Sequence, residues 1–365
     1  MQTVEVVSIE VTRRELTAEA VPELRELFGL ARLPLAPARI TAVLRGVPTA
    51  VVNALRRVVT DEMPGRALRV PPDGFDVELT TDAFMLPQFV CGRIGALRLR
   101  PQIPVDTVAA LRLELDVTNG GATPRAVYAG DLTVAAGAMP EPLFNPTAKL
   151  AVLQPGKRLV VRGIHVASGY GREHASFQVA CHAAYTHLDL PQHTDAEMRD
   201  EKGVAVDSSG YKVSCLVADP RLHRLTATLP AATADPTEAR AVLADACACV
   251  KERLRLIAGA VERPHPAGGG APRGVQLSVA PLEGGLAEAV LQVPGETHTV
   301  GELLRRTIYE LEPGVAFVAY VILPHEGRLV LTVRLAGDVS RALLRGVQHA
   351  IAVFDTLQRG IMAAL

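Results

Sequence analysis

The sequence is short of lysine, of clustered positive charge and of long apolar runs, and each shortage removes a class of function. Lysine occurs only at positions 149, 157, 202, 212 and 251, so 33 of the 38 basic residues are arginine, and the formal net charge is −1. No block of Lys and Arg provides the phosphate-neutralising footprint on which autonomous DNA or RNA binding rests. The arginine bias, with its accompanying Ala, Gly and Pro, fits a GC-rich genome, although guanidinium also suits bidentate pairing at protein interfaces. The longest apolar run, VAFVAYVIL at 315–323, has nine residues, about half the length of a membrane-spanning helix, and reads as a buried strand. Cysteines number five (91, 181, 215, 247 and 249), scattered behind a polar start, MQTVEVVSIEVTRRE, with no signal peptide. An odd, dispersed set of this kind points to a reducing compartment without a disulfide framework.

What is present is core material and a repeat. With 365 residues, 48% of them hydrophobic, the chain can build two or three domains. NALRRVVTDEMPG at 53–65 and ELLRRTIYELEPG at 302–314 share one frame: Leu55 aligns with Leu304, Arg56 and Arg57 with Arg305 and Arg306, and Pro64-Gly65 with Pro313-Gly314. The offset of 249 residues is far too long for a solenoid. PHPAGGGAPRG, 264–274, with three prolines and four glycines, is the clearest linker. Before it, Asp235 as N-cap, Pro236 at the first helical position and Glu238 three residues on open a long helix. Its seam is Leu243, Cys247, Val250, Leu254, Ile257 and Val261. The last segment, behind Asp338 as cap, is a second such helix with Leu344, Val347, Ile351, Phe354, Leu357 and Ile361 on one side.

Strand-like runs lie at 4–11, 38–44 and 76–80 in the first half and at 275–280, 287–293, 315–323 and 328–335 in the second. The expected fold is therefore α+β: two related sheet-and-helix modules forming an intramolecular pseudo-dimer, their seams packed about an approximate two-fold axis. The expected boundaries are 1–101 with 181–263 for the first module, 102–180 for an inserted β-rich domain, 264–274 for the linker and 275–365 for the second module. The polar stretch 191–210 reads as a surface loop.

The chemical constellations are weak. Cys247 and Cys249, two apart on a helix, point about 200° away from each other and cannot chelate one ion; Cys247 belongs to the seam. His165, His174, His182, His187 and His193 crowd around Cys181, but their spacing fits no finger or zincin, and strand alternation would divide them between faces. A Cys/His enzyme is thus the weakest reading. Gly169-Tyr170-Gly171 lacks the third glycine of a dinucleotide loop. The repeated Arg pairs are either solvated helix faces or contacts for a partner.

GVPTAVVNALRRVVTDEMPGRAL resembles the first helix of the alpha-type assembly subunits of cellular RNA polymerases. FVCGRIGALRL at 89–99 is similar to that family's following segment, with Cys91-Gly92 replacing the usual residues, and GYGREHASF at 169–177 to its Gly-x-Gly-x-Glu-His-Ala stretch. GETHTVGELLRRTIYELEPGVAFVAYVILPHEGRLVLTVR at 295–334 resembles the eleventh, small partner subunit through His298, Thr299, Gly301, Leu303, Leu304, Arg305, Tyr320, Pro324 and His325. The resemblance implies a single-chain fusion of third-largest-type and eleventh-type subunits, known from large cytoplasmic DNA viruses. It implies a non-catalytic scaffold for the largest and second-largest polymerase subunits and small subunits, touching DNA or RNA only through the complex. The setting would be host cytoplasm and virion, with the nucleus as alternative and no membrane; an interaction protein outside any polymerase is the rival. Candidate contact residues are Asn53, Arg56, Arg57, Arg93, Glu173, His174, Glu302, Arg305 and Arg306, with both Arg-bearing helices facing outward. Glu302 replaces the family's usual Asn, and the four-cysteine zinc loop and the bacterial DNA-binding C-terminal domain are missing, so neither zinc nor another cofactor is expected.

Overall fold

A computed structural model describes residues 3–13, 38–74, 86–100, 109–139, 143–188, 221–229, 236–262 and 274–363. Strands β1 (Glu5–Arg13) and β2 (Ala38–Arg45) pair antiparallel, and β2 alternates Ala38, Ile40, Ala42 and Leu44 inward, the period-two pattern of a half-buried strand. Helix α1 (Thr49–Arg57) follows, burying Val51, Val52, Ala54 and Leu55, and runs into a single π turn, Val58–Glu62. Thr60 contributes to that widening by donating its hydroxyl to the carbonyls of Arg56 and Arg57, both at 3.1 Å.

The chain then leaves for a second sheet, order β3-β8-β4-β6, built from β3 (Pro64–Arg69), β4 (Arg112–Thr118), β6 (Thr133–Ala136) and β8 (Arg158–Tyr170). β5 (Arg125–Tyr128) pairs with β7 (Lys149–Leu153), and α2 (Pro87–Gly95) packs on β3 and β7. These elements share a separate core that runs from Leu68 through Ile94 to Ile164. The inserted domain therefore starts earlier than the expected 102: β3 and α2 belong to it because β3 is hydrogen-bonded along β8 and Leu68, Val90 and Ile94 face its core.

The chain returns in β9 (Cys181–His187) and β10 (Leu222–Leu229), giving a sheet of order β1-β2-β10-β9, and continues in α3 (Pro236–Glu262). After 274 the same series recurs without interruption: β11 (Gln276–Pro281), β12 (Leu286–Pro294), α4 (His298–Leu311), β13 (Val315–Leu323), β14 (Arg328–Ala336) and α5 (Val339–Ala363). Its sheet order, β11-β12-β14-β13, matches the first position for position. Both units feed one continuous core, in which α3 and α5 pack along their lengths.

All six residues of the α3 seam are buried. On α5 the buried line is rotated slightly: Val347, Phe354, Leu357 and Ile361 are buried with Leu343 and Ala350, while Leu344 and Ile351 lie at its edge, half-buried. Asp338 caps α5 by accepting from the Arg341 amide at 3.0 Å. Asp235, strand 76–80, the 191–210 loop and linker positions 264–273 lie outside the described residues.

The nine-residue apolar run is not a buried strand. It forms the edge strand β13, packed through Val318, Tyr320 and Ile322 against the shared core, while Phe317 and Val321 on its other face remain 44% and 51% exposed. An unbroken apolar run suits either a central strand or an edge, and only the sheet order separates the two.

The two Pro-Gly pairs differ in what they meet. Gly65 sits opposite Gly169 in the β3/β8 ladder, and a Cβ on it would lie 1.7 Å from the carbonyl oxygen of Phe177, whereas one on Gly314 would meet nothing within 4 Å. Gly65→Ala is therefore expected to cost about 3 kcal/mol of stability through backbone displacement, and Gly314→Ala less than about 0.5 kcal/mol. Urea denaturation of the two variants checks this; equal midpoints would contradict it.

Candidate assembly interface

The repeated helices do not both face outward, as expected, but pack against each other. They run antiparallel: Arg57 at the end of α1 reaches Thr299 in the first turn of α4, while Thr49 and Ala50 at the start of α1 lie with Arg305, Arg306 and Glu310. Their apolar faces, Leu55 with Val58 and Leu304 with Ile308, are fully buried in the common core.

Where α1 ends, the π turn aims Glu62 inward, and its side chain is only 2% exposed. One carboxylate oxygen accepts from the hydroxyls of Thr297 at 2.8 Å and Thr299 at 2.6 Å, and from the Arg57 guanidinium at 3.3 Å. The other accepts from Arg253 of α3 at 2.6 Å. Arg253 forks on to Glu296 in a bidentate pair, its Nε at 2.9 Å. The Thr299 hydroxyl also accepts from Arg57 Nε at 2.8 Å, and Thr297 caps α4 by accepting from the Thr299 amide at 3.2 Å. Thus Glu62, Arg57 and Arg253 of the first unit are tied to Glu296, Thr297 and Thr299 of the second. Burial alone would raise the Glu62 carboxyl, but Arg253 and the hydroxyl donors outweigh it and hold it below the ordinary glutamate value. Burial would lower Arg253, and its two carboxylates raise it instead.

Further contacts join the units along the long helices. Lys251 of α3, almost fully buried, pairs with Asp355 and donates to Gln358 of α5 at 2.5 Å; Gln358 in turn donates to the Ala244 carbonyl at 3.2 Å. Beside the start of α1, Arg221, which precedes β10, meets Glu310 of α4 at 3.2 Å.

The residues expected from sequence separate into groups. Asn53 accepts from Arg56 at 3.0 Å, and at the equivalent place Glu302 accepts from Nε and Nη2 of Arg305, at 2.7 and 2.6 Å, so the Glu-for-Asn replacement keeps the same i, i+3 clasp. Arg306 is exposed and pairs with Glu310 at 2.7 Å, whereas Arg57 belongs to the Glu62 network. Arg93 fastens α2 to β7 through the Leu150 carbonyl at 2.9 Å. Glu173 and His174, both exposed, shape a turn in which Glu173 accepts from the Tyr170 amide at 3.1 Å and His174 from the Ser176 amide at 3.1 Å. That turn docks on the π turn, the Arg172 amide donating to the Asp61 carbonyl at 3.1 Å.

In the 295–334 stretch, His298 lies edge-on to Tyr320, whose ring leaves no room for a Cβ on Gly301. The Cys247 thiol is buried on the seam and pushed up to about 12. His165 is on β8, His174 in the turn and His182 and His187 on β9, where burial alternates residue by residue. Among the described residues no three His, Cys, Asp or Glu side chains gather as a metal site requires.

Glu62, Arg253, Glu296 and Thr297 did not stand out in the sequence. One signal was available: Glu62 occupies the position of Leu311 in the second copy, and an acid where the repeat holds a core-type residue marks a buried partner.

Two sheet-and-helix units that share a core, joined at their equivalent helices by a buried polar junction, with a β-rich domain inserted in the first, make an α+β protein. The chain is 33% identical over 347 residues, 92% of its length and 91% of theirs, to the DNA-directed RNA polymerase RPB3-11 homologs of two African swine fever virus isolates, Pig/Kenya/KEN-50/1950 and Tick/Malawi/Lil 20-1/1983. It belongs to the family of DNA-directed RNA polymerase RPB3-11 homologs. DNA-directed RNA polymerase subunit Rpo3 of Pyrobaculum arsenaticum is 28% identical over 162 residues, covering 40% of this chain and 58% of that protein. No family model matches the chain.

Proposed function

We propose that the chain is the non-catalytic assembly scaffold of a multisubunit viral DNA-directed RNA polymerase, in which a third-subunit-like and an eleventh-subunit-like unit pair within one polypeptide. The observation that carries this reading is the recurrence of one topology in both units, sharing one core, in a chain whose full-length relatives are named for both subunits. As a pseudo-dimer it offers two related but non-identical faces. The largest and second-largest subunits assemble on these faces, with small subunits beside them, and nucleic acid is touched only through the complex. Arg56, Arg305 and Arg306, held by Asn53, Glu302 and Glu310 at the helix surfaces, are the leading contacts. The scaffold works without zinc or another cofactor, in the host cytoplasm and virion. A tagged copy expressed during infection is expected to bring down two very large chains, identified by mass spectrometry. Its recovery as a soluble monomer without them would count against the proposal.

A further inference from the structure

Helices α1 and α4 begin 249 residues apart, at Thr49 and His298, and end in register if the π turn is included. The same offset assigns each junction residue a counterpart: Thr299 answers to Ala50, Thr297 to Pro48, Glu296 to Val47 and Glu62 to Leu311. The helix pair therefore has two chemically different ends. At one, Glu62 is enclosed by two hydroxyls and Arg253. At the other, the counterpart of Arg57 is Arg306, which lines an open hollow of about 310 Å³ with Pro48, Thr49 and Ala50 and pairs with Glu310 on its own helix. The acids described there are less sheltered than Glu62: Glu302 and Glu310 are 36% and 23% exposed, and Glu310 also meets Arg221 of the first unit at 3.2 Å.

We infer that this one-sided network is the device by which the two units select each other over a second copy of themselves. In a pair of two first units, Glu62 would face Ala50 and Pro48 and lose both hydroxyl donors, and Arg253 would face Val47 in place of Glu296. Because a like pair is symmetric, the loss occurs at both ends. In a pair of two second units, Thr297 and Thr299 would face Leu311, and Glu296 would be left without Arg253. Either like pair strands buried polar groups, which penalises the wrong partner more than it strengthens the right one.

The inference rests on the paired-unit part of the proposed function. Its test contains no other polymerase subunit, so a failed co-purification and a failed pair choice are separately visible. The full chain is folded with a protease site within 264–274, nicked, incubated at micromolar concentration and weighed by native mass spectrometry, which separates first–second from first–first and second–second pairs. The unmodified sequence is expected to give first–second pairs alone. Glu62→Leu with Thr299→Ala gives each position its counterpart's side chain, and like pairs are expected to rise about a hundredfold, while Thr299→Ser leaves them undetectable. Like pairs still undetectable in the double variant, or its dissociation into single units, would overturn the inference. Should the double variant lose its far-ultraviolet circular dichroism, Thr299→Ala alone carries the test with a rise of about tenfold expected, and no rise overturns it.

Discussion

Replacing Arg253 by alanine is expected to lower the unfolding free energy by about 3–5 kcal/mol at neutral pH, because it leaves two sheltered carboxylates without their shared cation. Glu62 is 2% exposed and Glu296 11%, and Arg253 is the cation that bridges them. Arg57 remains near Glu62 at 3.3 Å, but it is more exposed and already engaged with Thr299, so it cannot replace a 2.6 Å contact. The defect carries a pH signature. A carboxyl whose folded value is lowered contributes stability that is fully present above its unfolded value and is lost as pH falls through the folded one. Glu62 is such a group, and in Arg253→Ala its largest lowering influence is gone, leaving the Thr297 and Thr299 hydroxyls to oppose burial. The variant should therefore differ most from the parent at neutral pH and converge with it in acid, below the ordinary glutamate range. Urea melts of both proteins across pH 3–8 measure this; a loss below about 1 kcal/mol at pH 7 would show that water already screens the junction.

The layout of the chain was legible because it rests on periodicity. The spacing of four and three along Leu243 to Val261 places α3, a strand-like run at 38–44 places β2, and the shared Leu-Arg-Arg frame places α1 and α4 in equivalent positions. What escaped depended on tertiary pairing. β3 joins the inserted domain through β8, a partner about a hundred residues away that no local pattern announces. β13 lies at an edge, and an apolar run does not state its place in a sheet. An acid near the end of a helix ordinarily points to water, and the π turn that brings Glu62 inward is not signalled by periodicity. The candidate site is half visible in consequence: the repeat and the resemblance single out Arg57 and Thr299, and nothing local singles out the acid that joins them.

Phe354→Ala is the second substitution expected to have a large effect, and it tests what holds the units together apart from the polar junction. Phe354 is fully buried, and it lies on α5 in the line that packs along α3. Truncating a buried phenylalanine costs about 3–5 kcal/mol, from lost transfer energy and from the cavity left behind. In the intact chain, the linker keeps the second unit at an effective concentration of about millimolar, so the variant should stay monomeric and paired with a lowered melting temperature. Once the chain is nicked within 264–274, that advantage disappears and the cost falls on association. The nicked parent should remain a tight pair at micromolar concentration, since separation would expose the apolar stripes of both α3 and α5. Nicked Phe354→Ala should dissociate about a hundredfold to a thousandfold more readily, read by analytical ultracentrifugation. If the nicked parent itself separates at micromolar concentration, the long-helix seam does not hold the pair. The linker would then do work that the shared core has been given in the proposed scaffold.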